Sequence, residues 1–280
     1  MLLACLAAYA LVRAPGAESA KYEVPGIGVK FALPVGVKPP LLGSMFVSDD
    51  RAIRIVVEVS SIELPSENLT ALERTFPDPA VPFHNGKLDG MLRSRALVDG
   101  RSWGGWWLTV DRGKQKLSFM ISYQGEDPAK LDQLKSLLST ISWDGRTADS
   151  EVAFGAKFEV PGLQLVAGQG GALLYTANGS SDWHQPFIYL MAQPSKVEGD
   201  QLRSAELCEL AASKILKGNS TAAPRYTETK EIRMCDVFGG TTEEGVNYYA
   251  IVAFPDGAAF HLLGQGDPDV IRNAIQKGRR

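Results

Sequence analysis

The sequence predicts an α/β (α+β) chain built from two copies of one unit, each a mostly antiparallel sheet flanked by two helices, behind an N-terminal export signal. Three observations carry this expectation. Short motifs recur at similar spacing, strand-like and helical apolar periodicities follow one another in the same order twice, and the first twelve residues are almost wholly apolar.

The run Met1–Val12 is too short for a bilayer core, which needs ~20 residues, but suits the apolar region of a signal peptide. Small residues follow at Ala17-Glu18-Ser19, so residues 1–19 are read as a signal cleaved before Ala20, although no Lys or Arg precedes the run. Leu2-Leu3-Ala4-Cys5 also reads as a lipoprotein signal, against which stands the apolar stretch continuing beyond Cys5. The mature chain is thus expected in the periplasm or outside the cell, with no membrane span of its own.

The repeat is anchored at three places. Lys21-Tyr22-Glu23-Val24-Pro25-Gly26 is echoed by Lys157-Phe158-Glu159-Val160-Pro161-Gly162, Trp106-Trp107 by Tyr248-Tyr249, and Gln124-Gly125 by Gln265-Gly266. In the first copy, Ile53, Ile55, Val57 and Val59 alternate with Arg54, Val56, Glu58 and Ser60, a strand with one apolar face. Leu69, Leu72 and Phe76 recur at helical spacing, and Pro77 stops that helix. A strand near Met91–Val98 follows, then a hairpin of Trp103–Val110 and Lys116–Tyr123. Asp127 caps a closing helix with Pro128 in its first turn and Leu131, Leu134, Leu138 and Ile141 on one face.

The second copy repeats the order. Strands are expected at Leu173–Ala177 and Phe187–Ala192, a helix from Asp200 to Lys217, strands at Glu231–Phe238, Tyr248–Phe254 and Phe260–Leu263, and a final helix from Pro268. The polar stretch between the copies shows no periodicity, which places the domains at 20–144 and 154–280 with a linker at 145–153.

This pattern resembles the PsbP-like and DcrB-like α/β/α sandwiches. The resemblance rests on the Val-Pro-Gly opening, the helix after the third strand, Val98-Asp99-Gly100-Arg101 leading into an aromatic strand, and a closing helix ending at Ile141-Ser142-Trp143. It implies a tandem pair of sandwiches acting as partner-binding modules without catalytic residues. The fold also serves as a chaperone-like adaptor in a secretion system, but those adaptors are cytoplasmic, which the export signal opposes.

Composition excludes some functions. With 45% apolar and 22% charged residues the chain is globular, and a net charge of −3 offers no basic stripe for nucleic acid. Gly100-Arg101-Ser102-Trp103-Gly104 matches a nucleophile-elbow string, which would make Ser102 the nucleophile of an envelope hydrolase served by a distant His184 or His261. The string enters a hairpin strand instead of a strand-to-helix turn, so no catalytic residue is assigned. His84, His184 and His261 lack ligand spacing, so no metal or other cofactor is expected. Asp49-Asp50 and Glu243-Glu244 read as solvated turn residues, and Gly168-Gln169-Gly170-Gly171 lacks the lysine of a phosphate loop.

The remaining binding candidates are Trp103 and Trp107, which share a strand face, and the Trp183-His184 pair in a Gly-Ser-rich loop. A protein or small ligand is the expected partner, with helices burying the tryptophans as the competing reading. Once the signal is removed, Cys208 and Cys235 remain, either as two buried thiols or as one disulfide. Cys208 shares a helical stripe with Ala211, Ala212 and Ile215, while Cys235 shares a strand face with Arg233 and Val237. The disulfide requires a sheet covered on both sides.

Overall fold

The computed structural model describes residues 21–61, 66–96, 103–166, 171–181, 184–197, 199–215, 223–243 and 245–280. Strand β1 (Lys21–Val24) pairs with β2 (Val29–Ala32). Then come β3 (Val37–Lys38), β4 (Met45–Ser48), β5 (Ile53–Ser60), α1 (Ser66–Thr75), β6 (Val81–His84), β7 (Asp89–Arg95), β8 (Trp103–Asp111) and β9 (Lys116–Gln124). Helix α2 (Pro128–Lys135) runs into a 3-10 turn and β10 (Ser142–Trp143), and α3 (Ser150–Phe154) leads to the second half. There β11 (Gln164–Leu165), β12 (Ala172–Thr176), β13 (Phe187–Ala192), α4 (Gly199–Arg203), α5 (Ala205–Ile215), β14 (Arg225–Glu228), β15 (Arg233–Thr242), β16 (Gly245–Ala253), β17 (Ala259–Gly266) and α6 (Pro268–Gln276) complete the chain.

These strands form two seven-stranded sheets of identical order, β3-β4-β5-β9-β8-β7-β6 and β11-β12-β13-β17-β16-β15-β14, plus a small sheet β1-β2-β10. Every strand pairing among the described residues is antiparallel. Each sheet carries a core on one face, and the second carries a further apolar cluster around Cys208 and Cys235 on the other. In the first, the alternating Ile53, Ile55, Val57 and Val59 pack with Leu131, Leu134 and Leu138. In the second, Ile188, Leu190 and Phe260 pack with Ile271, Ala274 and Ile275 of α6. Asp127 and Asp267 cap α2 and α6 through backbone amides two residues on, with proline at the first turn in both, as the sequence implied.

Paired strands align the copies differently from the motifs. Trp143 pairs with Val29 and Ser142 with Lys30, while Lys157 bridges to Arg279. Phe31 packs edge-on against Phe119 at 5.0 Å and Phe158 against Phe260 at 5.3 Å. Lys157-Phe158 therefore corresponds to Lys30-Phe31, not to Lys21-Tyr22. Val-Pro-Gly misled because it is strand-and-turn punctuation: Gly26 and Gly162 both adopt positive φ, 72° and 78°. The aromatic pairs shift as well. Trp106 faces Ile121 and Ala250 faces Leu262, so Trp106 matches Ala250, two residues beyond Tyr248. At the next core position, Gly104 faces Tyr123 in one copy and Tyr248 faces Gly264 in the other, so the large and small partners have exchanged strands. The Gln124 and Gln265 anchor stands.

The stretch 145–153, expected as a linker without structure, carries most of a capped helix. Asp149 accepts the Val152 amide, and Gly155 closes α3 in the left-handed region. Ala148 and Ala153 join the first core, whereas Phe154 is fully buried in the second. Leu42 crosses in the opposite direction and joins the second core, and the Gly43 amide donates to the Phe154 carbonyl at 2.9 Å.

Beside this crossing the copies touch at corresponding turns, just ahead of β4 and β12. A Cβ on Gly43 would lie 2.7 Å from the Ala192 Cβ and 2.9 Å from the Gly171 carbonyl oxygen, at a φ of +67°. Gly43→Val should therefore cost roughly 2–4 kcal/mol, summing left-handed strain and overpacking. Gly36→Ala, with a φ of +82° but open space around it, should cost only about 1–2 kcal/mol. Urea unfolding of both variants checks this; equal losses would show that the turn is not a tight contact between the copies.

Candidate functional site

The tryptophans expected to form a binding face split into two roles. Trp107 is 5% exposed, its indole donates to Ser118 Oγ at 2.9 Å, and Phe76 packs against it from the end of α1. It belongs to the packing between helix and sheet. Trp103 is half-buried: Phe76 meets its ring edge-on at 5.8 Å and the Arg95 guanidinium stacks over it at 4.0 Å. Trp183 and Ser102 lie outside the described residues. His184 is exposed on its loop, and the structure gives no link between it and Trp103.

Trp103 stands at one end of a groove of about 440 Å³ on the outer face of the first sheet. Its floor is a cross-strand row, Met45 beside Val56 and Val56 beside Met120. Arg51 and Arg54 stand at the other end. The same two arginines line a second groove of about 560 Å³, whose other wall is the second copy: Gln193 to Val197, Leu207, Ile251 and His261. Arg51 also enters a third groove with Pro194, Ser195 and Lys196. Three depressions thus converge on one arginine where the copies meet. Local sequence explains its position, because Ser48-Asp49-Asp50-Arg51 is a tight turn with Arg51 at φ 62°, and the Ser48 hydroxyl and Ala52 amide both donate to Asp50. Those two bonds hold the Asp50 carboxyl below the usual carboxylate range. The other turn acid, Asp49, pairs with Lys38 at 2.9 Å.

Sequence reading passed over Arg51 and Arg54 because an arginine alternating on a strand reads as a solvated face. The available signal was two arginines three residues apart beside the apolar Met45, Val47 and Val56.

His261 forms the far wall. Its Nδ1 bonds Tyr249 Oη at 2.6 Å and its Nε2 meets the Gln193 amide, so both ring nitrogens are occupied and neither is offered to a distant serine. Burial lowers its pKa. With the Gln193 nitrogen donating to Nε2, the neutral ring carries its proton on Nδ1; a second proton would set donor against donor, near Arg51, Arg54 and Lys196. Because the folded state binds this proton less readily than the unfolded state, stability should fall as pH drops below about 6.5. His261→Gln should flatten that slope below about pH 6.5, as measured by urea midpoints; an unchanged slope would remove His261 as its source.

Both sheets end on β-strands that discourage pairing with another chain, since β6 contains Pro82 and β14 carries Arg225 and Glu228. No group of three potential metal ligands occurs among the described residues, and none of the described helices is long and apolar enough to cross a membrane. No family model, no curated protein and no solved structure matches the chain.

Proposed function

We propose that this is an exported, non-catalytic binding protein of the cell envelope whose ligand occupies the cleft where the two copies meet. The observation that carries the reading is the convergence of three grooves on Arg51, two of them with walls from both copies. The Cys208–Cys235 disulfide supports an oxidising compartment, in keeping with the export signal. The PsbP-like and DcrB-like resemblance supports a binding role over a hydrolytic one, and the occupied ring of His261 weighs against pairing it with Ser102.

Hydrogen exchange of the mature chain, with and without an extract of the producing cell's envelope, tests the reading. Protection is expected over β4, β5 and residues 193–197. In vivo activity should survive Ser102→Ala and fall with Arg51→Glu. Loss with Ser102→Ala alone would favour the envelope hydrolase.

A further inference from the structure

We infer that the cleft takes an anionic amphiphile: one carboxylate or phosphate head held by Arg51 and Arg54, and a linear apolar tail lying along the outer face of the first sheet. This rests on the binding reading above and names its ligand class.

The charge argument comes first. Arg93, Arg146, Arg203, Arg233, Arg272 and Arg280 all have carboxylate partners. Among the described residues, Arg51 and Arg54 have neither an acidic partner nor a side-chain hydrogen bond. Asp49 is committed to Lys38 and Asp50 to its own turn. Glu58 shares the outer face of β5 with Arg54 but stands four residues further on, about 13 Å along the strand. Two neighbouring guanidiniums without counter-charge present planar donor forks suited to a carboxylate or phosphate.

The tail follows from the floor. From Met45 through Val56 to Met120 the row crosses three strands, about 10 Å at the usual strand spacing. Beside that row, Arg54 and Ser122 line the groove on the same face, and Trp103 and Phe76 close it on the β8 side. The groove therefore has two guanidiniums on its β5 side, the aromatic Trp103 and Phe76 on its β8 side, and an apolar floor beside them. A peptide would need backbone partners, and the sheet face offers none, because its amides and carbonyls are used in the ladders.

Isothermal titration of the mature chain with dodecanoate and with dodecyl phosphate, below their micellar concentrations, tests the inference. Dodecyltrimethylammonium, acetate and inorganic phosphate serve as controls. Both anionic amphiphiles should bind, the cationic one at least tenfold more weakly, and acetate and phosphate without measurable heat. Arg51→Gln with Arg54→Gln should weaken dodecanoate at least tenfold, and Trp103→Phe should remove most of the accompanying tryptophan fluorescence change. A dodecanoate preference over dodecyl phosphate would point to a free fatty-acid-type ligand, and the reverse to a phosphorylated lipid head. Equal binding of the cationic amphiphile, or dodecanoate binding unchanged in the double arginine variant, would overturn the inference. If neither anion binds while envelope extract still protects β4 and β5 from exchange, the ligand class is wrong and the binding cleft stands. If neither is seen, both readings fall.

Discussion

Asp236→Ala should destabilise the second sheet and its core by about 3–5 kcal/mol, the largest single-residue effect expected in this chain. Asp236 is 1% exposed on the inner face of β15, and its Oδ2 accepts from Arg272 Nη2 at 2.7 Å and Nε at 3.2 Å. Arg272 is itself 5% exposed on α6, lies over the Phe238 ring, and also pairs with Asp269 at 2.6 Å. Removing the carboxylate leaves a guanidinium buried between helix and sheet with too little water to replace its partner. Asp236→Leu with Arg272→Met should recover most of the loss, because replacing both charges with apolar groups removes the desolvation cost along with the attraction. Urea unfolding of the single and double variants measures both quantities. A loss below about 1 kcal/mol for Asp236→Ala would mean that the arginine finds water, and that the pair does not hold α6 to the sheet.

Breaking the disulfide should cost nearly as much. Cys208 of α5 and Cys235 of β15 are bonded across a sequence separation of 27 with Cα atoms 6.1 Å apart. Closing a loop of that length removes chain entropy from the unfolded state, so Cys208→Ala with Cys235→Ala should lower stability by about 3–4 kcal/mol. Both sulfurs sit in an apolar cluster with Leu202, Ala212, Val237 and Ile251, so the alanine pair tests the bond without leaving thiols behind. Melting of the oxidised protein against the same protein in reductant provides the second measurement. If the two melts coincide while labelling shows both thiols released, the bond is not a source of stability.

Much of this architecture was legible in the chain itself. Alternation placed β5 and the β8–β9 hairpin, since a strand with one buried face must repeat every two residues. Aspartate followed by proline located the starts of α2 and α6, because both satisfy amides that no helix can bond internally. The expected helix from Asp200 to Lys217 is divided at Ser204 into α4 and α5, an interruption with no glycine or proline to announce it. The edge strands β6 and β14 were also missed, both being four residues long, the first interrupted by Pro82 and the second polar.

Local chemistry therefore determined the type and order of the main elements, the existence of two copies and the identity of the two cysteines that join. Only the tertiary structure decided which residues correspond, because a Val-Pro-Gly turn looks the same wherever it occurs, whereas Phe31 and Phe158 are marked by the phenylalanines they pack against. Only it, too, divided the tryptophans between core and groove, since both faces of a sheet covered by helices look apolar in sequence. The paired arginines were the cleft's one local signal, and nothing in sequence marked its far wall. The cleft arises where Arg51 and Arg54 of one copy meet residues 193–197 and His261 of the other, nearly 140 or more positions away, and no local periodicity encodes such a meeting.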